Sequence, residues 1–412
     1  MKKKQLVYKL ICALTVMSLI LPVSLMGQLN PSAPVYHIYA GNTHSHTSYT
    51  SSHGSQWDHL PGATKFMEVD SAGVSRVLNS TLKQDWQKVQ GPPAVHYALA
   101  KSNGYDFYAV TDHSQEPDFH PSDPGNTAWL ATKKAADETT DNNFVAIRGS
   151  EFSENNGPNG KGHINVFNTA IYINALKTGI DLPYFYKWLE SVPANGEGAV
   201  VASFNHPGAD QYNDWDYRTP EATNIITMLE VINSNNGIHY PAFIKALDKG
   251  WKVAPVCGND NHGIGGITAH TSRTFILATD KTKVAILDAM KNRRTYASLD
   301  KNIQCRYTVN GMIMGSTLTG DNVFKFDISI SDPDTNNPKN KITKIDIVKD
   351  NGEVVKTYEV TNPDYTVRWS PVIEDATNKY FFVRIYNAGG GDAPKADPLK
   401  PIAWLAPVWT GR

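Results

Sequence analysis

Residues 35 to 54 read VYHIYAGNTHSHTSYTSSHG, and where this stretch divides sets the reading of everything after it. Its first part, Val35 to Ala40, is short and largely apolar, the pattern of a strand. Its second part, Gly41 to Gly54, is rich in Ser and Thr and carries His44, His46 and His53. Residues i and i+2 of an extended chain face the same side, so His44 and His46 present two imidazoles together where the strand ends. A single His-x-His in such a loop is more often two exposed polar residues than a metal site. Partners further along the chain decide between the two.

Such partners recur. Tyr105 to Val110 reads as a strand followed by Thr111-Asp112-His113-Ser114, and Phe144 to Ile147 as one followed by Arg148-Gly149-Ser150-Glu151. His163 precedes the strand Ile164 to Phe167, and Ala199 to Phe204 leads into Asn205-His206-Pro207. Met228 to Ile232 is a strand carrying Glu230, and Val253 to Cys257 ends in Gly258-Asn259-Asp260-Asn261-His262. Thr274 to Ala278 reads as the last strand of the series, followed by a helix over Lys283 to Asn292. Short strands alternating with helical stretches predict an α/β domain, and ionisable residues at strand ends predict a site at a barrel mouth. The polar stretch Glu68 to Val89 reads as a helical insertion over that mouth.

Beyond Asn302 the texture changes. Phe324, Phe326, Ile328 and Ile330 alternate with mostly polar residues, and no helical stretch or histidine follows. This period of two predicts a small all-β, Ig-like sandwich over residues 303 to 412, after a barrel over residues 36 to 302.

The chain is 412 residues long with a formal net charge of -1, without the basic excess of a general nucleic-acid or acidic-membrane binder. Its 9 Trp, 19 Tyr and 30 Gly, with 19% charged residues, describe a globular protein and not a disordered one. Met-Lys-Lys-Lys at the start, an apolar run from Leu10 to Leu25 and a polar exit at Gly27 and Gln28 describe a secretory signal peptide over about residues 1 to 28. Export is the expected localisation, with no membrane span after cleavage. Outside that segment only Cys257 and Cys305 remain, so packing and not a disulfide framework must hold the fold. A bridge between these two is left open, and Cys257 reads as a buried strand residue.

Seven of the 13 histidines, His44, His46, His53, His113, His163, His206 and His262, are candidate metal ligands, with Glu151 and Asp260 as carboxylate partners. His59 and His96 are possible additions near the site. Asp260 and His262 repeat the i, i+2 spacing of His44 and His46. Asp112 and His113 are adjacent and should point to opposite sides, one into the site and one supporting it from outside. Imidazole and carboxylate ligands without thiolates suit zinc, manganese or iron.

The ordered set His44-x-His46, His53, Thr111-Asp112-His113, Gly149-Ser150-Glu151, His163, Asn205-His206-Pro207 and Asp260-x-His262 resembles the PHP (polymerase and histidinol phosphatase) superfamily of metal-dependent hydrolases. The tail Ala403 to Trp409 is similar to the C-terminal module of exported members near the carbaryl-hydrolase-like branch. The resemblance implies a distorted (β/α)7 PHP barrel holding two or three divalent metals. It implies one metal on His44, His46, Glu151 and Asp260, and a second on Glu151, His163 and His206. A third would sit on His53, His113 and His262. The chain departs from the family in having Asn42 and Thr43 where many members have Asp before the first His-x-His, and in having His53 where many have Asp.

Clustered dications with only two anionic ligands favour a small phosphate ester as substrate and a metal-bridging hydroxide as nucleophile. Asp112, His206 and Asp260 are the residues expected nearest the reaction. Asp112, His239 and Arg218 are candidates to protonate or neutralise the leaving group, while Arg273 and Arg294 read more readily as structural. Two other readings stand beside this one: a metallohydrolase of carboxyl or carbamate esters, which a Trp/Tyr-rich, Arg-poor pocket would favour, and a non-catalytic binding protein.

Overall fold

A computed structural model describes residues 34–50, 67–69, 75–77, 90–114, 127–155, 157, 159–175, 179–208, 211–234, 237–391 and 399–412. The expected signal segment, His53 and His59 lie outside the described residues. No helix among the described residues is long and apolar enough to cross a membrane.

The site-bearing part begins with β1 (His37–Asn42), continues through β4 (Phe107–Val110), β5 (Val145–Glu154), β6 (Gly162–Phe167), β7 (Val201–Asn205), β8 (Ile226–Asn233) and β10 (Ala254–Gly258), and ends with β11 (Arg273–Ala278) and β12 (Thr295–Ser298). Between them, β2 (Met67–Val69) and β3 (Ser75–Val77) form a small antiparallel pair, and β9 (Gly237–Ile238) folds back on β8. The sheet order is β10-β8-β7-β6-β5-β4-β1-β11-β12. Strands β4, β5, β7, β10, β11 and β12 are buried along their whole length. Burial on both faces is why β4, the first half of β5 and most of β11 read as apolar runs without alternation.

This mixed α/β sheet is a barrel distorted by two reversed strands, β11, which is antiparallel to β1, and β6. β1 pairs parallel with β4, β4 with β5, β7 with β8 and β8 with β10, but β6 is antiparallel to both β5 and β7. The reversal puts the start of β6, not its end, at the mouth where the parallel strands finish. The curl closes between the ends of β10 and β1. There the Asp260 N–H donates to the His44 carbonyl at 2.9 Å and the His46 N–H to the Asn261 carbonyl at 3.0 Å. Deeper down, the Thr274 hydroxyl donates to the Cys257 carbonyl at 2.8 Å.

At the closed end, Phe107, Ile147, Phe167, Val201 and Val256 pack against Ile286, Leu287 and Met290 of the helix Lys283–Lys291. The Thr282 hydroxyl caps that helix by accepting the Ala285 N–H. β12, absent from the sequence reading, pairs antiparallel with β11 and continues the sheet beyond it.

The C-terminal strands are antiparallel. β13 (Gln304–Val309), β14 (Met312–Ile313), β15 (Val323–Ser331), β18 (Thr366–Trp369) and β19 (Val372–Glu374) form one sheet. β16 (Ile342–Lys349), β17 (Val354–Asp364), β20 (Tyr380–Asn387), β21 (Ala403–Leu405) and β22 (Val408–Trp409) form the other layer, joined to the barrel sheet where β21 pairs with β12. β15 alternates exposed and buried residues, as a strand with one wet face does. Its Phe324, Phe326 and Ile328 meet Ile345, Phe381 and Val383 in the core between the layers. Both cysteines are buried free thiols, so no bridge joins them.

The helix expected over Glu68 to Val89 is not what the described part of that stretch forms: Met67–Val69 and Ser75–Val77 are paired strands. Val69 and Val77 are β-branched, and no 3.6-residue apolar period opposes their extended preference.

Candidate metal centre

Seven strands each deliver one part of the site. His44 and His46 follow β1, Asp112 and His113 follow β4, Glu151 lies within β5 and His163 begins β6. His206 follows β7, Glu230 lies within β8, and Asp260 and His262 follow β10. The β1 turn is fixed by Asn42, whose side-chain amide donates to the His44 carbonyl at 2.8 Å while its Oδ1 accepts the Asn259 N–H at 2.8 Å. Asn42, where an Asp was expected from the resemblance, thus ties the β1 and β10 turns together. This requires a donor and an acceptor on one side chain, which an ionised Asp cannot supply.

Glu151 is the centre. Its Oε1 lies 3.2 Å from His163 Nδ1 and 3.4 Å from both His44 Nε2 and His206 Nε2. Its Oε2 lies 2.9 Å from His113 Nε2 and 3.6 Å from His46 Nε2. The Asn205 amide donates to Oε1 at 2.9 Å and the Ser153 hydroxyl to Oε2 at 3.3 Å. Asp260 adds Oδ1 at 3.1 Å from His46 Nε2 and 3.4 Å from His44 Nε2. Four ligand sets come within metal-binding reach: His44/His46/Glu151, His44/His206/Asp260, Glu151/His163/His206 and His46/His113/His262.

The second nitrogens of these rings say what the first are for. His44 Nδ1 lies 2.7 Å from Glu230 Oε1, His46 Nδ1 lies 3.2 Å from the Thr50 hydroxyl, and His262 Nδ1 lies 3.2 Å from the Asp260 carbonyl. His163 is turned the other way, with Nε2 at 2.9 Å from the Asn155 side-chain oxygen. A ring nitrogen facing a carboxylate or carbonyl is the one carrying the proton, which leaves the other as a lone-pair donor. The Thr50 hydroxyl donates to Asp112 and so accepts from His46 Nδ1, which leaves His44 Nε2 and His46 Nε2 turned toward one another at 3.0 Å. Between two such nitrogens belongs a shared cation or, in its absence, the proton that the neighbouring carboxylates favour on His44. The donor set therefore fits divalent metal, with N and O ligands throughout and the outer partners that metal-bound imidazoles ordinarily have.

Burial grades across the cluster. The side chains of His44, His46, Glu151 and Glu230 are at most 1% exposed, whereas His206 and Asp260 are each 22% exposed and His262 20%. The accessible side is thus the His206, Asp260 and His262 side. Burial by itself would raise Glu151, but His44 and His163 outweigh it and hold the carboxyl well below the usual range. Asp260 is depressed likewise, against burial, by His44 and His46. Burial also opposes a charge on His44, yet Asp260, Glu230 and Glu151 raise it well above an ordinary imidazole. Burial holds His46 well below one, with His262 and His113 adding to the effect.

Three turns at or beside the rim lie in the left-handed region, one of them at Asp260 with φ 48°. His206 has φ 27°, although it precedes a proline, which favours extended backbone. Its N–H is held at 2.7 Å by Glu230 Oε2. Tyr212, Asn213, Asp214 and Trp215 all have positive φ, a conformation disfavoured by roughly 1–2 kcal/mol per residue. The buried Tyr212 hydroxyl offsets part of this from its place 2.7 Å from the His163 carbonyl and 2.8 Å from the Asn205 carbonyl.

Eight of the expected ligands, His44, His46, His113, Glu151, His163, His206, Asp260 and His262, converge here. Two members of the set expected for a third metal, His113 and His262, group with His46, and His53 is outside the described residues. Asp112 faces the β1 turn: it accepts from the Thr47 N–H at 2.7 Å, the Thr47 hydroxyl at 2.8 Å and the Thr50 hydroxyl at 2.8 Å. Through the Thr50 hydroxyl it reaches His46. His96 is buried, with Nε2 donating to the Gln90 carbonyl at 2.6 Å. Arg273 stacks on Tyr105 and donates to the His270 and Ser272 carbonyls, and Arg294 pairs with Asp288. Three participants escaped the sequence reading as site residues: Glu230, Asn205 and Asn233, whose amide donates to Glu230 at 3.1 Å and Asp260 at 3.3 Å. The available signal was Glu230 itself, one carboxylate inside the otherwise uncharged run Ile226–Asn233.

No family model matches the chain, and no curated protein matches it. Among solved structures, it is similar to a two-domain protein from Bacteroides vulgatus ATCC 8482 described as containing a predicted PHP-like metal-dependent phosphoesterase. That match has 17% identity, covers 90% of this chain and 95% of that one, and has a TM-score of 0.43. It is also similar to the lesion-specific endonuclease PfuEndoQ from Pyrococcus furiosus, at 12% identity over 74% of this chain and 62% of that one, with a TM-score of 0.31. Likeness at this level leaves the functional reading to the site's own geometry.

Proposed function

We propose that this chain is an exported metal-dependent hydrolase that cleaves phosphate esters. The observation that carries the reading is the charge balance around Glu151. Six imidazoles and two carboxylates, Glu151 and Asp260, make up the ligand sets. Two or three dications outweigh these two carboxylates together with the buried Glu230 behind His44 and leave a net positive pocket, which favours an anionic substrate whose charge grows in the transition state.

Divalent zinc, manganese or iron, when bound, supplies Lewis acidity and lowers the pKa of a water toward neutrality. The chain's own residues do the positioning. Glu151 offers one oxygen to the His44/His163/His206 side and the other to the His46/His113 side. Glu230 and Thr50 fix the proton on Nδ1 of His44 and His46, keeping Nε2 of each as a ligand. Asp112 acts behind them by holding the Thr47–Thr50 turn, and a proton donor to the leaving group is to be sought on the exposed rim.

One observation favours a second reading, hydrolysis of carboxyl or carbamate esters: an arginine-free, mainly apolar cavity opens beside His206. Parallel assays with p-nitrophenyl phosphate, bis-p-nitrophenyl phosphate and 1-naphthyl acetate separate the two. Turnover of a phosphate substrate, lost on chelation and regained with metal, is expected; turnover of the acetate alone overturns the phosphoesterase reading.

A further inference from the structure

A cavity of about 320 Å³ begins one residue beyond the rim ligand His206. Pro207, which forms part of its wall, is the residue after His206, with the two Cα atoms about 3.8 Å apart across a trans peptide. Trp215, Ile238, His239, Ala242 and Lys245 complete the lining used here. His206, left-handed at φ 27°, belongs to the cluster, and the residue after it lines the cavity. His239 Nδ1 donates to the Pro207 carbonyl at 3.2 Å, which locks the strained turn to the cavity from the other side.

The chemistry of the lining is selective. Lys245, its one cation besides the imidazole, pairs with Asp214, so the cavity offers its aliphatic stem and no second anion site. With Nδ1 donating, Nε2 of His239 is an acceptor, and no protein donor reaches it among the described residues. The volume suits a single ring system, and the walls suit an uncharged one.

We propose that this cavity is the leaving-group subsite, and that the substrates are phosphate esters of aromatic or heteroaromatic alcohols. The phosphoryl group lies at the metal cluster and the ring lies against Pro207, Ile238 and Ala242. A hydroxyl or N–H on the ring can donate to His239 Nε2. His239 is here a specificity-determining residue and not a metal ligand. The proposal rests on the phosphoesterase reading above.

The test uses the full chain loaded with Mn2+ and two non-hydrolysable probes, phenylphosphonate and methylphosphonate, by titration calorimetry. Phenylphosphonate should bind at least tenfold more tightly. Ala242→Trp, which fills the cavity, should reduce that preference to within twofold while leaving methylphosphonate affinity unchanged. The same variant should lower kcat/KM for p-nitrophenyl phosphate at least tenfold and for methyl phosphate less than twofold. Should Ala242→Trp misfold by circular dichroism, Ile238→Ala replaces it, with an expected loss of about threefold in phenyl preference. Equal affinity of the two probes, or an equal loss on both, overturns the subsite even if phosphate esters are hydrolysed. A phenyl preference erased by the variant without turnover of any phosphate ester upholds the subsite and overturns the phosphoesterase reading. Failure of both probes to bind overturns both.

Discussion

Glu230 Oε1 lies 2.7 Å from His44 Nδ1 with neither side chain exposed, and the other oxygen of the same carboxylate takes the His206 N–H at 2.7 Å. One buried carboxylate therefore orients a ligand after β1 and another after β7. Glu230→Gln keeps the shape but removes the charge that sets the His44 tautomer. It should weaken metal binding about 10- to 100-fold. Chelator-competition titration checks this, and wild-type affinity in the variant would contradict the role given to Glu230.

Gly258 stands where that pair crosses β10. A methyl added there would lie 1.9 Å from Glu230 Oε1 and 2.8 Å from His44 Cβ. Gly258→Ala should therefore destabilise the fold by about 3 kcal/mol, at the upper end of overpacking effects, and lower the metal content. Gly265, in the helix Ile264–Ala269 with no atom within 4 Å of an added methyl, is the control. There Gly265→Ala should stabilise by about 0.5–1 kcal/mol. Denaturant unfolding of both, beside metal analysis, shows whether the effect belongs to the site.

His44 Nε2 and His46 Nε2, 3.0 Å apart, bear on the metal-free state, in which the nearby carboxylates favour on His44 a proton that a metal must displace. Purified protein should carry two or three equivalents of divalent metal. Chelation should lower Tm, and re-addition should restore it, because an ion bound only by the native state stabilises it by mass action. His206→Asn, chosen because Asn tolerates a left-handed backbone, should reduce activity at least 100-fold with little change in the Tm of the chelated protein. Unchanged Tm on chelation, or no metal after growth in metal-replete medium, would remove the basis for the mechanism.

What was legible follows from what hydrophobicity can encode. Strands such as Phe107–Val110 and Val201–Asn205 announce themselves as apolar runs ending in ionisable residues, because they are buried on both faces and finish at a polar mouth. The alternation of Phe324 to Ile330 announces a sheet with one wet face. Direction is not encoded this way. Nothing in Ile164 to Phe167 says that β6 runs against its neighbours, although the reversal explains why His163 stands at the start of its strand while His206 stands just past the end of its own. Glu230 was hidden by its surroundings, since a site carboxylate in the middle of a strand reads locally as part of the core. Asp112 drew attention by adjacency to His113, yet its bonds go to the Thr47–Thr50 turn. Which of two neighbours enters a site depends on the turn, which pattern alone does not specify.

Cys257 is the penultimate residue of a fully buried strand, three residues before the ligand Asp260, and burial pushes its thiol up to about 12. At pH 8 it should stay protonated and closed to reagent. Ellman's reagent should label neither cysteine in the native protein and two thiols in denaturant if the first 28 residues are removed. Rapid native labelling of Cys257 would contradict the barrel closure that buries it.

His96 provides a pH test away from the metal. Burial lowers its pKa to about 4, and its Nε2–H is held by the Gln90 carbonyl. In the unfolded chain an imidazole titrates near 6.5. Above pH 6.5 both states leave it neutral and it contributes no pH dependence. As pH falls from 6.5 to 4 the unfolded chain takes up a proton that the native state refuses, so native stability declines with falling pH. Below 4 both states hold the proton and the slope from this residue ends. The full effect is about 3 kcal/mol. Wild type and His96→Gln, each kept in chelator so that ligand protonation is common to both, should give unfolding free energies whose difference changes by about that amount between pH 6.5 and 4. The wild type should lose the more stability on acidification. Parallel curves would mean that His96 is protonated in the native state, and the reading of it as a neutral core residue would fall.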